Sequence, residues 1–384
     1  MKGKKTYLFL FFLIALLSCK KDEKTDEKKP VKPDYKTYIF KDMKDVFGFY
    51  GQNRYSYCPS LLKEEDGTVH MFFCGNPNQG IMVDNIYHIR INPDGFKTKA
   101  KSVLQPGAPG SWDDHHTCDP SVIAGEFKMD GQSYKYAMFF LTNKHGVYYN
   151  EIGVAFSNQI DGNEWIKYPE ILIEKTWSGE GDQNLGNNNK SWGVGQPSAV
   201  SLDNKGKILL TYTIGDISGT RIVWEQIDLS NMNNYSPSFP TTMVSKGLIN
   251  INYSGEDYTC NSDFAVCTGE DAIVMIRPVQ PHPADYPAYL NISLEVDYMK
   301  FSEFLTSSGT WTPIIRITPD DTKFPRNHNA GIESDEYGRI ESLKELVIYF
   351  TVSKAAPEVN AATGKHAEWT YHIYKGTILE KLIQ

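Results

Sequence analysis

The sequence predicts an all-β chain, a five-bladed β-propeller of four-stranded antiparallel blades whose ring is closed by an N-terminal strand. Three observations predict it. Tyrosine, phenylalanine and tryptophan make up 13% of the 384 residues, aromatic content that suits pleated, packed surfaces. No segment holds a helical period for more than about two turns. One strand-turn-strand unit recurs five times along the chain, as stacked blades require.

The chain begins "MKGKKTYLFLFFLIALLSCKKDE". Its early lysines lead into the ten apolar residues Leu8 to Leu17, too short a run to span a bilayer but suited to the apolar region of a secretory signal. Leu16-Leu17-Ser18-Cys19 resembles the bacterial lipoprotein box, which implies cleavage after residue 18 and acylation of Cys19. From Lys20 to Asp34 six lysines alternate with five acids and two prolines. Such a segment buries no core, so residues 19–35 are expected to be a solvated tether. The opening "CKKDE" is similar to the signal that sends lipoproteins of Bacteroidetes-type bacteria to the outer face of the outer membrane. The expected location is therefore the outer membrane, exposed at the cell surface, with a periplasm-facing lipoprotein as the alternative. The lipid on Cys19 is the expected link to the membrane.

Residues 1–18 hold three lysines and no acid, so the mature chain has 36 basic against 47 acidic residues, a formal charge of −11. That excess of acid disfavours nucleic acid and anionic lipid as partners. Beyond Cys19 five cysteines remain, Cys58, Cys74, Cys118, Cys260 and Cys267. The odd number leaves at least one thiol free or paired between chains, and no disulfide framework can be read.

Residues 36–384 are expected to be the propeller. The repeated unit is clearest in "CPSLLKEEDGTVHMFFCG" from Cys58, "DPSVIAGEFKMDGQSYKYAMFFLT" from Asp119 and "QPSAVSLDNKGKILLTYT" from Gln196. Each reads as an apolar strand, a polar or glycine turn and a second apolar strand, which is a hairpin. Looser copies start at Asp263 and Asn329, so the key positions 58, 119, 196, 263 and 329 are 61, 77, 67 and 66 residues apart. Third strands follow in "NIYHIRINPDG", "EIGVAFSNQIDG", "TRIVWEQIDLS", "LNISLEVDYMKF" and "TYHIYKGT". Fourth strands follow in "TKAKSVLQP", "WIKYPEILIE", "PTTMVSKGL" and "TPIIRITP". The fifth unit lacks a fourth strand, and "KTYIFKDMKDVF" ahead of the first key position is expected to supply it. In a propeller the key residues and the loops before them converge on one axial funnel.

"DPSVI" opening a blade, "IGVAFSNQIDGNEWIKYP" across its later strands and "VGQPSAV" opening the next resemble the five-bladed glycosidases of glycoside hydrolase families 43 and 32 and their relatives. The resemblance covers nearly all of the mature chain. It implies a base or nucleophile carboxylate at the key position of blade one, a supporting aspartate in an Asp-Pro motif of blade two, and an acid glutamate in blade three. Asp119 matches the supporting aspartate. Cys58 and Gln196 stand where the other two carboxylates would be, a departure from the family mechanism.

Hydrolysis of a glycosidic bond uses one protonated carboxyl and one ionised carboxylate across the sugar. Asp119 and Asp263, at key positions whose aromatic, partly desolvated walls would raise one pKa, are the expected catalytic pair. Asp113, Asp114, Glu180, Asp182, Glu256 and Asp257 are substitutes in neighbouring loops. His115 and His116 are candidates for contacts to sugar hydroxyls or for a general acid. Gln196 offers an amide donor and acceptor, and Trp112 and Trp192 offer aromatic faces at the rim. Arg326, His328 and Asn329 would add a cation and two neutral donors from blade five. The loop from Trp177 to Trp192 is long and polar, as lids are.

No cofactor is required by this reading. His115, His116, Cys58 and Cys118 can be drawn as zinc ligands, but their spacing matches no metal pattern and no metal is expected. The family resemblance implies that an axial calcium or water can lie beside a histidine of blade five, which makes His328 the candidate for that neighbourhood. No phosphate-binding loop, dinucleotide fingerprint or Gly-x-Ser-x-Gly elbow occurs. The expected partner is a polysaccharide or oligosaccharide, and the expected function is a cell-surface glycoside hydrolase with a variant carboxylate set. The alternative is a surface protein that binds glycan in the same funnel without cleaving it.

Overall fold

Five small antiparallel sheets follow one another along the chain and close into a ring. The computed structural model describes residues 37–147, 149–174, 192–216, 219–248, 259–279, 291–354 and 367–381. The signal, Cys19 and the tether lie outside these residues, as do Glu180, Asp182, Glu256, Asp257 and the loop from Trp177 up to Trp192.

Strand β1 (Tyr38–Phe47) precedes blade one, which is β2 (Tyr55–Lys63), β3 (Val69–Asn76), β4 (Asn85–Ile91) and β5 (Lys101–Leu104). Blade two is β6 (His116–Met129), β7 (Gln132–Asn143), β8 (Glu151–Ser157) and the two-residue β9 (Ile166–Lys167). Blade three is β10 (Gly193–Ser201), β11 (Lys207–Asp216), β12 (Gly219–Asp228) and β13 (Thr241–Thr242). Blade four is β14 (Asp263–Cys267), β15 (Ala272–Val279), β16 (Ser293–Met299) and β17 (Thr312–Ile317). Blade five is β18 (Arg326–Ile332), β20 (Glu345–Ser353) and β21 (His372–Glu380), with β19 (Arg339–Ile340) in its hairpin loop. Strand β1 pairs with β21 from Tyr38↔Glu380 to Phe47↔Ile373 and supplies the fourth strand of blade five. The N-terminal strand thus closes the ring, as expected. Helix among the described residues is confined to the single turns Phe301–Phe304 and Pro319–Thr322 and to short 3-10 segments.

Each blade is covered on both faces, which is why β3, β8 and β15 are buried at every position. The core falls into five apolar clusters, one at each junction between neighbouring blades. Phe139 and Leu210 belong to the cluster between blades two and three; Phe264 and Trp311 of blade four join Trp224 of blade three in another.

The inner strands carry a second regularity. Each has a non-glycine residue in the left-handed region, at the fourth position of β2, β6, β10 and β18 and two residues ahead of β14: Cys58 (φ 54°), Asp119 (45°), Gln196 (55°), Asn329 (44°) and Asn261 (48°). In four blades the ladder slips just after it, between Tyr57 and Ser60, Cys118 and Ser121, Gly195 and Ser198, and His328 and Ala330. These are bulges, which bend a strand and re-aim a side chain. In blade four the left-handed residue is Asn261, two positions before the expected Asp263. Asn tolerates this backbone better than most residues, and the strand's own spacing, not the residue type of Asp263, sets the register.

Asp263 instead matches the serine of the Pro-Ser motif, and that position is an interblade strut. Ser60 Oγ accepts the Val122 N–H at 3.3 Å, Ser121 Oγ that of Ala199 at 3.0 Å and Ser198 Oγ that of Phe264 at 3.0 Å. Asp263 Oδ2 accepts the Ile332 N–H at 2.8 Å. Blade five has Gly331 at this position, because a Cβ there would stand 2.3 Å from the Pro59 carbonyl oxygen.

The hairpin loop of blade five crosses the base of the ring. Lys63, Ala124, Ser201 and Val266, each five residues beyond a left-handed residue, donate their N–H groups to the carbonyls of Ser334 (2.8 Å), Glu336 (2.7 Å), Tyr337 (3.0 Å) and Gly338 (3.1 Å). Strand β19 continues this contact by pairing in parallel with β14. The inner strands of four blades are thereby sealed at one end, and their starts frame the funnel at the other.

Candidate functional site

Contacts among the five left-handed residues show that they converge. Cys58 Sγ lies within 4.8 Å of an Asp119 oxygen, and Gln196 Oε1 accepts the Asn261 N–H at 2.8 Å. Around them stand Tyr57, Asp84, His116, His328 and Tyr371. His328 and Tyr371 rings lie 4.7 Å apart, and Tyr371 and Tyr57 rings 5.5 Å apart.

Asp119 is 6% exposed. Burial pushes its carboxyl up to about 6; the hydrogen bond from Cys58 opposes the rise and the charge of Asp84 adds to it. A carboxyl in this range is poised to hold a proton and release it near neutrality. Asp84, just ahead of β4, brings a second carboxylate to the same end of the ring. Its Oδ2 accepts the Tyr57 hydroxyl at 3.1 Å and lies 3.2 Å from His116 Nδ1. His116 Nδ1 in turn lies 3.0 Å from the Asp84 amide nitrogen, whose proton it accepts in the neutral ring. The Tyr57 hydroxyl is also 3.1 Å from Cys118 Sγ, which is 3.3 Å from Asp119 Oδ1. Two acids are thus connected through one tyrosine and one sulfur.

That sulfur belongs to a disulfide. Cys74 in β3 and Cys118 in β6 are joined, with Cα atoms 5.1 Å apart, while Cys58, Cys260 and Cys267 form no disulfide. Cys118 therefore offers no thiolate, and the zinc set drawn from it with Cys58, His115 and His116 loses a ligand. The sulfurs of Cys58 and Cys74 and an Asp119 oxygen lie within 4.8 Å of one another, but Cys74 is oxidised as well.

Asp263 is half-buried, and desolvation pushes its carboxyl up to about 6, against the lowering hydrogen bonds from Ile332, Ser198 and Phe264. Both its oxygens are engaged, Oδ1 by the Ser198 hydroxyl at 2.7 Å and Oδ2 by Ile332. Its position therefore ties blades three, four and five.

The other expected residues divide. His115, half-buried, stands 4.1 Å from the His116 ring and 5.1 Å from that of His145; burial, then these two rings, lower its pKa. Asp114 accepts the N–H groups of His145 and Gly110, both at 2.6 Å, and Asp113 pairs with Lys167, so both acids shape the loop. Trp112 stacks on Phe140 at 6.2 Å and donates to the Pro169 carbonyl, so its ring packs on blade two. Trp192 lies over Gly215 and donates to Thr220 Oγ1 at 3.3 Å. Arg326 is half-buried at the start of β18. His328 Nδ1 and Asn329 Oδ1 are 3.2 Å apart.

Calcium calls for six to eight oxygen ligands. Among the five axial residues Asp119 alone is an acid, one of the remaining four is a thiol, and the Gln196 oxygen is already engaged. This set does not fit calcium. A separate cavity of about 630 Å3, lined by Glu64, His70, Arg90 and Asp161 among others, lies between blades one and two at the opposite end of the strands and shares no residue with the funnel.

Sequence reasoning missed Asp84, Tyr57, Tyr371 and the Cys74–Cys118 bond. Asp84 was within reach, since it immediately precedes the third strand of blade one, at the same end as the key residues. Tyr371 was not, because it arrives just ahead of β21, more than 300 residues from Tyr57.

No family profile matches the chain, and no curated protein does. Solved structures do. A family 117 glycoside hydrolase of the marine bacterium Zobellia galactanivorans matches with TM-score 0.55 and 11% identity over 90% of each chain. The catalytic domain of a GH62 α-L-arabinofuranosidase from Coprinopsis cinerea matches with TM-score 0.56 and 10% identity over 89% of this chain and 97% of that one. A Podospora anserina α-L-arabinofuranosidase in complex with cellotriose matches with TM-score 0.55 and 9% identity over the same shares. At these identities the likeness is one of fold: the chain is a five-bladed propeller similar to those of glycoside hydrolases.

Proposed function

We propose that the funnel takes up a polysaccharide or oligosaccharide chain and that the protein is a glycoside hydrolase working with a variant carboxylate set. Asp119 is the acid, giving its proton to the glycosidic oxygen. Asp84 is its partner, accepting a proton from water or attacking the anomeric carbon. The observation that carries this reading is the pairing of Asp119, held near 6, with Asp84 across Tyr57 and Cys118. Tyr57, Tyr371 and His116 supply a ring face and donors for sugar. The solved neighbours, one holding cellotriose, support a carbohydrate ligand. The signal sequence and Cys19 support an acylated protein tethered through residues 19–35 to the outer membrane and exposed at the cell surface.

A second reading is favoured by Cys58 and Gln196, which occupy the positions of the resembled family's base and acid: a surface protein that captures glycan without cleaving it. The chain from Lys36 onward, incubated with arabinan, xylan, fructan, galactan and host-type glycans, separates the two. Sugar released by the native protein and lost in Asp119→Asn and Asp84→Asn supports the hydrolase. Binding without release in all three proteins removes it and leaves capture.

A further inference from the structure

Three sulfurs and a carboxyl meet at the mouth of blades one and two, and no step of glycoside hydrolysis uses the sulfurs. Cys58 sits on the β2 bulge, and its neighbour Tyr57 is the register partner of Cys74 on β3. Its thiol is partly exposed and lies no more than 4.8 Å from Cys74 Sγ and from an Asp119 oxygen. Cys74 is already bonded to Cys118. A thiol beside a disulfide is the pairing that thiol–disulfide exchange requires, and the neighbouring carboxylate offers a base for the thiol proton.

We propose that Cys58 exchanges with the Cys74–Cys118 disulfide, so that the covalent tie moves between Cys74–Cys118, which joins blades one and two, and Cys58–Cys74, which lies within blade one. In the forward step the Cys58 thiol gives its proton to the Asp119 carboxylate and its sulfur attacks Cys74 Sγ. The Cys74–Cys118 bond breaks, its electron pair goes to Cys118, and Asp119 returns the proton to that sulfur. One disulfide and one thiol stand on each side, so no outside oxidant or reductant enters.

Each participant is placed for its part. The Asp119 N–H donates to Cys74 Sγ at 2.8 Å, drawing density from the sulfur under attack. Asp119 Oδ1 is 3.3 Å from the departing Cys118 Sγ, and the Tyr57 oxygen, 3.1 Å away, receives the Cys118 thiol once formed. The Cys58 N–H is held by Thr351 Oγ1 at 3.1 Å, which fixes the bulge from blade five. The groups facing the thiol are Asp119, Asp263, Tyr57 and the neutral Asn329. Burial and the Asp119 charge push its pKa well above the usual thiol value, so proton transfer to Asp119 accompanies the attack. Exchange frees the inner strand of blade two beside Asp119 and replaces a disulfide sulfur next to that acid with a thiol.

The test maps thiols in the full-length protein. Native protein is incubated at pH 8, quenched in acid, denatured, alkylated and digested without reduction. The expected result is alkylation of both Cys58 and Cys118 and two disulfide-linked peptides, Cys74–Cys118 and Cys58–Cys74. Cys58→Ser is expected to give Cys74–Cys118 alone, and Cys118→Ser, exposed to glutathione disulfide, to form Cys58–Cys74. A folded Cys118→Ser chain that keeps Cys58 and Cys74 reduced, or native protein whose label never reaches Cys118, overturns the proposal. Sugar release plays no part in the readout, so the exchange stands or falls apart from the hydrolase reading.

Discussion

Asp119→Asn keeps the size of the side chain and removes one titrating carboxyl from the centre of the funnel. In the folded protein that carboxyl is pushed up to about 6 from an ordinary value of 3.8, chiefly by burial. A carboxyl raised on folding favours the folded state while protonated. Its contribution is fully present below the unfolded value and is lost as pH rises through about 6. The gap of about 2 pH units corresponds to about 3 kcal/mol at ~1.36 kcal/mol per unit. Urea unfolding followed by tryptophan fluorescence at pH 4 and pH 7.5 measures it. Because pH 4 already lies just above the unfolded value, native protein is expected to lose about 2–2.5 kcal/mol more than Asp119→Asn between the two pH values. Asp263, raised in the same sense, is present in both proteins and cancels in the difference. Parallel stability curves for the two proteins would refute the desolvated placement of Asp119, and with it the acid role built on that placement.

Other perturbations probe the scaffold. Ser121→Ala leaves the buried Ala199 N–H without its partner and is expected to cost about 1–3 kcal/mol in urea unfolding. Gly331→Ala drives a Cβ to 2.3 Å from the Pro59 carbonyl; a loss of about 1–3 kcal/mol or more is expected from the forced shift of blade five against blade one. Arg277, fully buried, holds Glu295 at 2.7 Å and Asp297 at 3.0 Å, so Arg277→Ala takes this cation from buried Asp297 while Glu295 keeps Arg316 at 2.6 Å, and is expected to destabilise by about 3–5 kcal/mol in calorimetry. Unchanged melting in any of these variants would remove the contact concerned from the account of stability.

The strands were legible because blade faces bury in both directions: runs such as "KILLTYTIG" and "AIVMIRPV" have no other reading than buried strand once turns bound them. Blade one, blade two and blade three were placed to the residue by Pro-Ser after the left-handed position. Blade four was placed two residues late, because "NSDFAV" offers an aspartate of the expected type while the backbone turns at Asn261. In the funnel, Asp119 was found from its motif. Asp84 and Tyr57 carry no motif and acquire their meaning from each other, across 27 residues.

By itself the sequence determined the class of fold, the number of blades, the strand that closes the ring and the acidic balance that disfavours nucleic acid. Those properties depend on local pattern and period, which each repeat states independently. Only the tertiary structure decided which residues share the funnel, that Cys74 meets Cys118, that Asp263 ties blades three, four and five, and that the blade-five hairpin seals the base. These are contacts between segments far apart in the chain, set by the angle at which one blade packs on the next, and no local pattern encodes that angle.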